Sequence, residues 1–284
     1  MRLCNICGPE GIVLCAVAEK GLVPLKELGF AGSMSDLIAA GEETVAKVSE
    51  ALDRWTGETV DPEKAVFADV TAPGKILCVG LNYKKHAKET GGEPPERPVY
   101  FSKFSDCLCP HGAEVTLPDF HRCYDYEGEL VIVIGKTAWN IDPEKADDCI
   151  FGYTAGNDLS ARDCQFLSGQ WLAGKAMPGF APAGPYITTK DAFDPEADNR
   201  IVTRVNGKVC QDDMTSGMIF SCRQIVADAS LFFRLEPGDL IYTGTSAGVI
   251  LGRPKGTREW LKPGDVTEVE IEGIGTLSNP IVRR

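Results

Sequence analysis

The chain has 284 residues, 43% of them hydrophobic and 25% charged. That balance allows a full apolar core, in one large domain or in a large and a small one, and speaks against disorder. Its 29 basic and 41 acidic residues leave a formal charge of −12, which argues against nucleic acid or an anionic membrane as partner, since both need a basic face. No run reaches the roughly 18 apolar residues of a spanning helix, and the start, Met1-Arg-Leu-Cys-Asn-Ile-Cys7, lacks the apolar stretch of a secretion signal. A cytoplasmic location is expected, and in that setting the eleven cysteines read as reduced, buried small residues.

Residues 1–70 read as a small α/β unit. Leu3–Cys7, Ile12–Ala18 and Leu22–Pro24 alternate or run apolar like short strands separated by glycine turns. Cys4-x-x-Cys7 has the spacing of a redox pair or half a zinc site, but no second such pair follows it. Ser35–Ala40 and Glu42–Trp55 read as helices, the second placing Val45, Val48, Leu52 and Trp55 near one face. Thr71-Ala-Pro-Gly74 marks a boundary, and residues 75–284 form the second unit.

Beyond the boundary the chain becomes a series of short β runs with Gly and Pro punctuation: Ile76–Val79, Val99–Phe101, Glu114–Leu117, Leu130–Ile134, Tyr186–Thr189, Ile201–Val205, Leu240–Tyr242 and Val266–Ile271. Few helices interrupt them, one being Cys222–Phe233, opened by Ser221-x-x-Gln224 in capping-box spacing. Many short strands with few helices indicate an α+β, β-rich sandwich or barrel-like body rather than a doubly wound sheet.

Five places in this second unit could carry chemistry. His86 and Glu89 stand three apart in Gly80-Leu-Asn-Tyr-Lys-Lys-His-Ala-Lys-Glu89, so on a helix they touch, and a carboxylate beside an imidazole makes it a better base. The alternative is a solvated, Lys-rich helix face. The Gly91-Gly92-Glu-Pro-Pro95 stretch after them would let this segment move as a lid. Cys107, Cys109, His111, His121 and Cys123 crowd one region, yet the gap between the first two is shorter than zinc ligands use, and alternating strand residues explain them at least as well. Next, Tyr124-Asp-Tyr-Glu-Gly-Glu-Leu-Val-Ile-Val-Ile-Gly135 sets Glu127 and Glu129 two apart before an apolar run. On a strand they project side by side with Val131 and Val133, opposite Leu130, Ile132 and Ile134. A strand apolar on both faces is buried, and two like charges on it need a proton, a counter-charge or a cation. Asp158, in Gly152-Tyr-Thr-Ala-Gly-Asn-Asp158, either joins them from the end of another buried strand or caps the helix that follows. Three carboxylate ligands suit Mg²⁺ or Mn²⁺ better than Zn²⁺. Lys175, among small and apolar residues in Trp171-Leu-Ala-Gly-Lys-Ala-Met177, either faces those carboxylates and stabilises an oxyanion or lies on an exposed loop.

Together these segments resemble the fumarylacetoacetate hydrolase family from about Lys75 to Val282, in the branch of acylpyruvases and 2-hydroxyhepta-2,4-diene-1,7-dioate isomerases. The resemblance rests on the order of Val79-Gly-Leu-Asn-Tyr-x-x-His-Ala-x-Glu89, Asp125-Tyr-Glu-Gly-Glu-Leu130, Gly152-Tyr-x-x-x-Asn-Asp-x-Ser-Ala-Arg-Asp163, Gly174-Lys175, Leu235-Glu-Pro-Gly-Asp239, Thr243-Gly-Thr245 and Leu261-Lys-Pro-Gly-Asp265. It implies a mixed β-roll catalytic body with a small N-terminal α/β domain, commonly as a homodimer. It further implies that Glu127, Glu129 and Asp158 hold Mg²⁺ or Mn²⁺, that Lys175 polarises substrate, that His86 and Glu89 form a dyad on a closing segment, and that Arg162, Gln165 and Thr245 line the substrate site. Ser246 stands where members often have proline, and Gly248-Val-Ile-Leu-Gly252 has sparser glycines than usual, so a substrate preference does not carry over from the family through this loop.

The activity expected is metal-dependent chemistry on a small 2-oxo acid through a stabilised enolate at C3. Water activated by the dyad against a distant carbonyl gives C–C hydrolysis of an acylpyruvate or β-oxo diacid. Loss of a carboxylate gives decarboxylation of an oxaloacetate-like acid, and return of the proton elsewhere gives oxaloacetate tautomerisation or dienedioate isomerisation. A rival from another class is a non-catalytic protein that binds such metabolites, against which the intact Lys175 and His86–Glu89 speak.

Overall fold

The computed structural model describes residues 1–283. The chain opens with three antiparallel strands, β1 (Arg2–Gly8), β2 (Gly11–Ala18) and β3 (Gly21–Pro24). Alternation sets the side-chain directions: Cys4 is buried and Cys7 is exposed, as residues three apart on a strand must be. The Cys-x-x-Cys spacing therefore brings no pair together. Helix α1 (Met34–Ala40) begins at a capping box in which Ser33 and Asp36 satisfy each other's backbone N–H groups. Helix α2 (Glu42–Asp53) follows and buries Val45 and Val48.

The second part begins with β4 (Ile76–Gly80), helix α3 (Lys84–Glu89), β5 (Val99–Lys103), β6 (Leu108–Pro110), β7 (Val115–Leu117), β8 (Tyr124–Asp125) and β9 (Gly128–Ile134). Then come β10 (Ile150–Asn157), β11 (Ser160–Ala161), the one-turn helices α4 (Arg162–Gln165) and α5 (Leu172–Lys175), and β12 (Ala181–Thr189). The chain closes with β13 (Arg200–Val205), β14 (Lys208–Met214), helix α6 (Cys222–Ser230), β15 (Leu240–Thr245), β16 (Val266–Ile271) and β17 (Gly275–Arg283). Helix α6 is three residues shorter than its apolar pattern suggests. The Ser230 hydroxyl donates to Ala227 O, and the N–H groups of Phe232 and Phe233 turn back to Ala229 O, leaving Phe232 exposed.

A ten-stranded mixed sheet runs β3-β2-β1-β12-β10-β9-β15-β4-β5, with β6 beside β12. The pairs β15–β4 and β12–β6 are parallel and the others antiparallel. A five-stranded sheet, β14-β13-β16-β17-β7, packs against it, and β8 with β11 forms a small third ribbon. The N-terminal strands thus extend the same sheet that carries β9, through Leu3 opposite Ile187.

Strand β9 lies near the middle of the large sheet, and all seven of its residues are buried. Leu130, Ile132 and Ile134 enter one core with Ile201, Val269, Ile271 and Ile225. Val131 and Val133 enter the other, with Leu3, Val23, Leu37 and Val48. The α+β, β-rich architecture is the one expected. Gly128 is required where the sheets meet, because a Cβ there would overlap the Thr203 hydroxyl of β13.

Candidate active site and metal centre

The site is built at the ends of β9, β10 and β15, where the strands give way to loops. Glu127 precedes β9, and its N–H donates to Asn157 Oδ1 at 3.0 Å. Glu129 lies opposite Gly156 and Thr245, and its carboxylate accepts Gly244 N–H at 2.7 Å. Asp158 follows β10, and its N–H donates to Glu127 O at 2.8 Å. The three carboxylates are 5%, 2% and 0% exposed, and oxygens from all three lie within 4.8 Å of one another. The helix that follows Asp158 has Ala161 at its N-cap, so Asp158 faces the site and does not cap α4.

Lys175 ends the one-turn helix α5 and is buried. Its Nζ donates to Glu127 Oε2 at 2.6 Å and to Asp158 Oδ2 at 2.7 Å. It is therefore no loop lysine, despite its Gly- and Pro-rich surroundings. Arg162 is just as firmly held: Nε donates to Asp125 Oδ2 at 2.9 Å, Nη2 to Glu127 Oε1 at 2.5 Å and Nη1 to Gln165 Oε1 at 2.8 Å.

Two functional neighbours are missing from the sequence-derived set. Asp125 is fully buried and accepts Ile250 N–H and Leu251 N–H as well as Arg162, so it fixes the loop that forms one wall of the site. Its spacing could have revealed it, because Asp125, Glu127 and Glu129 recur every second residue. Lys103, at the end of β5, is buried beneath Asp158. Its ammonium donates to the carbonyls of Leu159, Lys175 and Phe180 and stands 2.7 Å from Asp158 Oδ1. Nothing in Val99-Tyr-Phe-Ser-Lys103 signals this, since every partner comes from a distant segment.

These ion pairs divide the carboxylates electrostatically. Burial alone would raise the Glu127 carboxyl, but Arg162 and Lys175 more than offset it and hold the group well below the usual range. Glu129 is guarded less: burial, then the charges of Asp158 and Glu127, push it far up against the opposing pull of Lys175 and the Gly244 N–H. Lys175 is pulled the other way, its burial outweighed by Asp158 and Glu127, which keep it charged.

The donor set fits a hard divalent cation. An ammonium has three N–H bonds, and Lys103 directs its three at carbonyls, so buried Asp158 Oδ1 has a charge contact but no directed hydrogen bond. That oxygen keeps lone pairs available, and Glu129 lacks a salt-bridge partner among the described residues. Three convergent carboxylates with free oxygen valences are what Mg²⁺ or Mn²⁺ requires.

A cavity of about 460 Å³ opens above the carboxylates and is lined by residues that include His86, Glu89, Gln165, Lys175 and Thr245. Helix α3 places His86 Nδ1 3.4 Å from Glu89 Oε2, as the three-residue spacing predicts, and Glu89 is anchored by Gly248 N–H. The Thr245 hydroxyl donates to Gly128 O and accepts from Gln211, so it braces β9 and β14 at the rim. The dyad, the three carboxylates, Lys175, Arg162, Gln165 and Thr245 thus meet at this cavity or directly beneath it.

The Cys- and His-rich stretch does not converge in this way. Cys109 and His111 lie against Pro110, Ser278 and Asn279, whereas His121 meets Asp163 and Cys164. Among the described residues no helix is long and apolar enough to cross a membrane.

Residues 75–282 match the family described as fumarylacetoacetate (FAA) hydrolase, C-terminal. A mitochondrial oxaloacetate tautomerase of Xenopus laevis is 37% identical over 251 residues, covering 88% of this chain and 78% of the relative. Among solved structures, a fumarylacetoacetate hydrolase from Exiguobacterium antarcticum superposes with a TM-score of 0.84 at 32% identity, covering 100% of both chains. A 2-hydroxyhepta-2,4-diene-1,7-dioate isomerase from Mycobacterium marinum gives 0.79 at 34% identity, covering 100% of this chain and 99% of the other.

Proposed function

The chain belongs to the fumarylacetoacetate hydrolase family of enzymes, and from that premise we propose that it interconverts the keto and enol forms of a small 2-oxo acid with Mg²⁺ or Mn²⁺. One observation carries the reading: three buried carboxylates converge at a cavity floor, with a buried ammonium joined to two of them. Glu127, Glu129 and Asp158 would hold the cation, which when bound supplies a Lewis acid beside the 2-oxo and carboxylate oxygens of the substrate.

The remaining work falls to the protein's own groups. Lys175 keeps a fixed positive charge where negative charge develops on the C2 oxygen, and its two carboxylate partners fix its position beforehand. With His86 Nδ1 turned to Glu89, Nε2 is the nitrogen left to take a proton from C3 or return one to it. Gln165 offers its Nε2 amide to a substrate oxygen, its Oε1 being held by Arg162. Phe101, Phe166 and Trp171 form an apolar wall that limits water around the reacting carbon.

A tautomeric exchange needs only these parts. The similar oxaloacetate tautomerase of Xenopus laevis and dienedioate isomerase of Mycobacterium marinum favour it over bond cleavage. Hydrolytic C–C cleavage is the second reading, supported by the His86–Glu89 contact, which could equally activate water.

The test follows the enol absorbance of oxaloacetate, with acetylpyruvate and fumarylpyruvate cleavage assayed in parallel, in Mg²⁺, Mn²⁺ or EDTA. Cation-dependent decay of the oxaloacetate enol, lost in Glu127→Ala, is the expected result. Equal decay in EDTA overturns the proposal, and cation-dependent cleavage of an acylpyruvate in its place shifts the assignment to hydrolysis.

A further inference from the structure

Four cationic or proton-carrying side chains line the cavity: His86, Arg162, Lys175 and Arg258. Three are already engaged by carboxylates. Arg162 is bound to Asp125 and Glu127, Lys175 to Glu127 and Asp158, and His86 faces Glu89. Arg258 alone has no carboxylate partner among the described residues. It comes from the loop between β15 and β16, the region where the chain departs from its family's pattern.

The local structure aims Arg258 without neutralising it. Its Nε donates to Arg253 O at 2.8 Å, and Arg253 is anchored in turn by Nη2 donating to the Tyr126 hydroxyl at 2.6 Å. The guanidinium lies beside the Trp260 ring, 5.9 Å from its centroid. With Nε tethered, both terminal nitrogens remain, and together they form the fork that binds a carboxylate through two parallel hydrogen bonds. A half-buried, tethered and unpaired arginine in a cavity floored by carboxylates is a charge awaiting an anion.

We propose that Arg258 is a specificity-determining residue that binds the distal carboxylate of a dicarboxylic 2-oxo acid. This rests on the enolisation reading and narrows its substrate class to diacids. The 2-oxo acid end lies over Glu127, Glu129, Asp158 and Lys175, and the far carboxylate pairs with Arg258. Arg162 cannot take that role without abandoning buried Asp125 and Glu127, each of which would be left as an unpaired charge.

Binding of two analogues that cannot enolise provides the test. In the presence of Mn²⁺, titration calorimetry compares 3,3-dimethyl-2-oxobutanedioate with 3,3-dimethyl-2-oxobutanoate, which differ by a carboxylate in place of one methyl. The wild-type protein should prefer the diacid by about 10- to 100-fold, the range of a charged hydrogen-bonded pair. Arg258→Met should abolish that preference while leaving monoacid binding unchanged, and Arg258→Lys should restore part of it. A preference that survives in Arg258→Met, or equal binding of the two analogues by the wild type, overturns the role of Arg258 and leaves the enolisation reading standing. Failure of the wild type to bind either analogue with Mn²⁺ overturns both.

Discussion

Among the three convergent carboxylates, Glu129 is the one without a salt-bridge partner among the described residues. Its carboxyl starts near 4.5 in the unfolded chain and is pushed well above that in the fold by burial, Asp158 and Glu127. Above about pH 4.5 the folded, cation-free protein therefore keeps a proton that the unfolded chain has released, and stability falls as pH rises toward the folded value. Glu127 is shifted down, so its contribution is complete above that pH and is lost only on acidification, below the same window. The melting temperature of cation-free protein should accordingly decline as pH rises above about 4.5. Glu129→Gln should flatten that slope, and an unchanged slope in the variant would refute the assignment. Lys175 makes a separate prediction. Replacing it with Met removes the charge at the developing oxyanion, so turnover of the enol should drop about 100- to 1,000-fold. Calorimetry should still show Mn²⁺ binding, because the three carboxylates remain.

At the scale of elements, the site depends on two short segments that come close to its ligands. Strand β5 delivers Lys103 beneath Asp158. Lys103→Met should leave a buried carboxylate without its neighbour and cost about 3–5 kcal/mol in a denaturant titration. Gly252 presses against helix α3, and a Cβ there would overlap the Glu89 side chain. Gly252→Ala should therefore displace Glu89 from Gly248 N–H and from His86, lowering turnover at least tenfold while the melting temperature changes little. Strand β9 was legible in the sequence because its apolar alternation and the spacing of Glu127 and Glu129 obey one local period. Helix α3 was legible because His86 and Glu89 meet through a single turn. Lys103 was not, since its significance arises only when Leu159, Phe180 and Lys175 are folded over it. The early end of α6 was also hidden, because the Ser230 back-bond competes with an apolar pattern that continues through Phe233.

For the whole molecule, the N-terminal segment is joined to the body by more than a linker. Strand β1 pairs with β12, and Leu3, Val23, Leu37 and Val48 cover the same core face as Val131 and Val133 of β9. A chain beginning at residue 71 would expose that face and leave the β12 edge unpaired around Ile187 and Thr188, an arrangement prone to aggregation. Its expected behaviour on expression is insolubility, which fractionation of a lysate would show. A soluble, cation-binding product would instead mean that the later segment folds without the first 70 residues.

The balance of charge around β9 also bears on the order of events in the cell. Four buried carboxylates, Asp125, Glu127, Glu129 and Asp158, are interleaved with three buried cations, Lys103, Arg162 and Lys175, and the upward shift of Glu129 favours the proton that would balance the remaining charge. Such a centre does not need its ion in order to form. On the proposed reading, binding of Mg²⁺ or Mn²⁺ is then a reversible step after folding, and chelation should yield an idle enzyme that revives when the ion is returned.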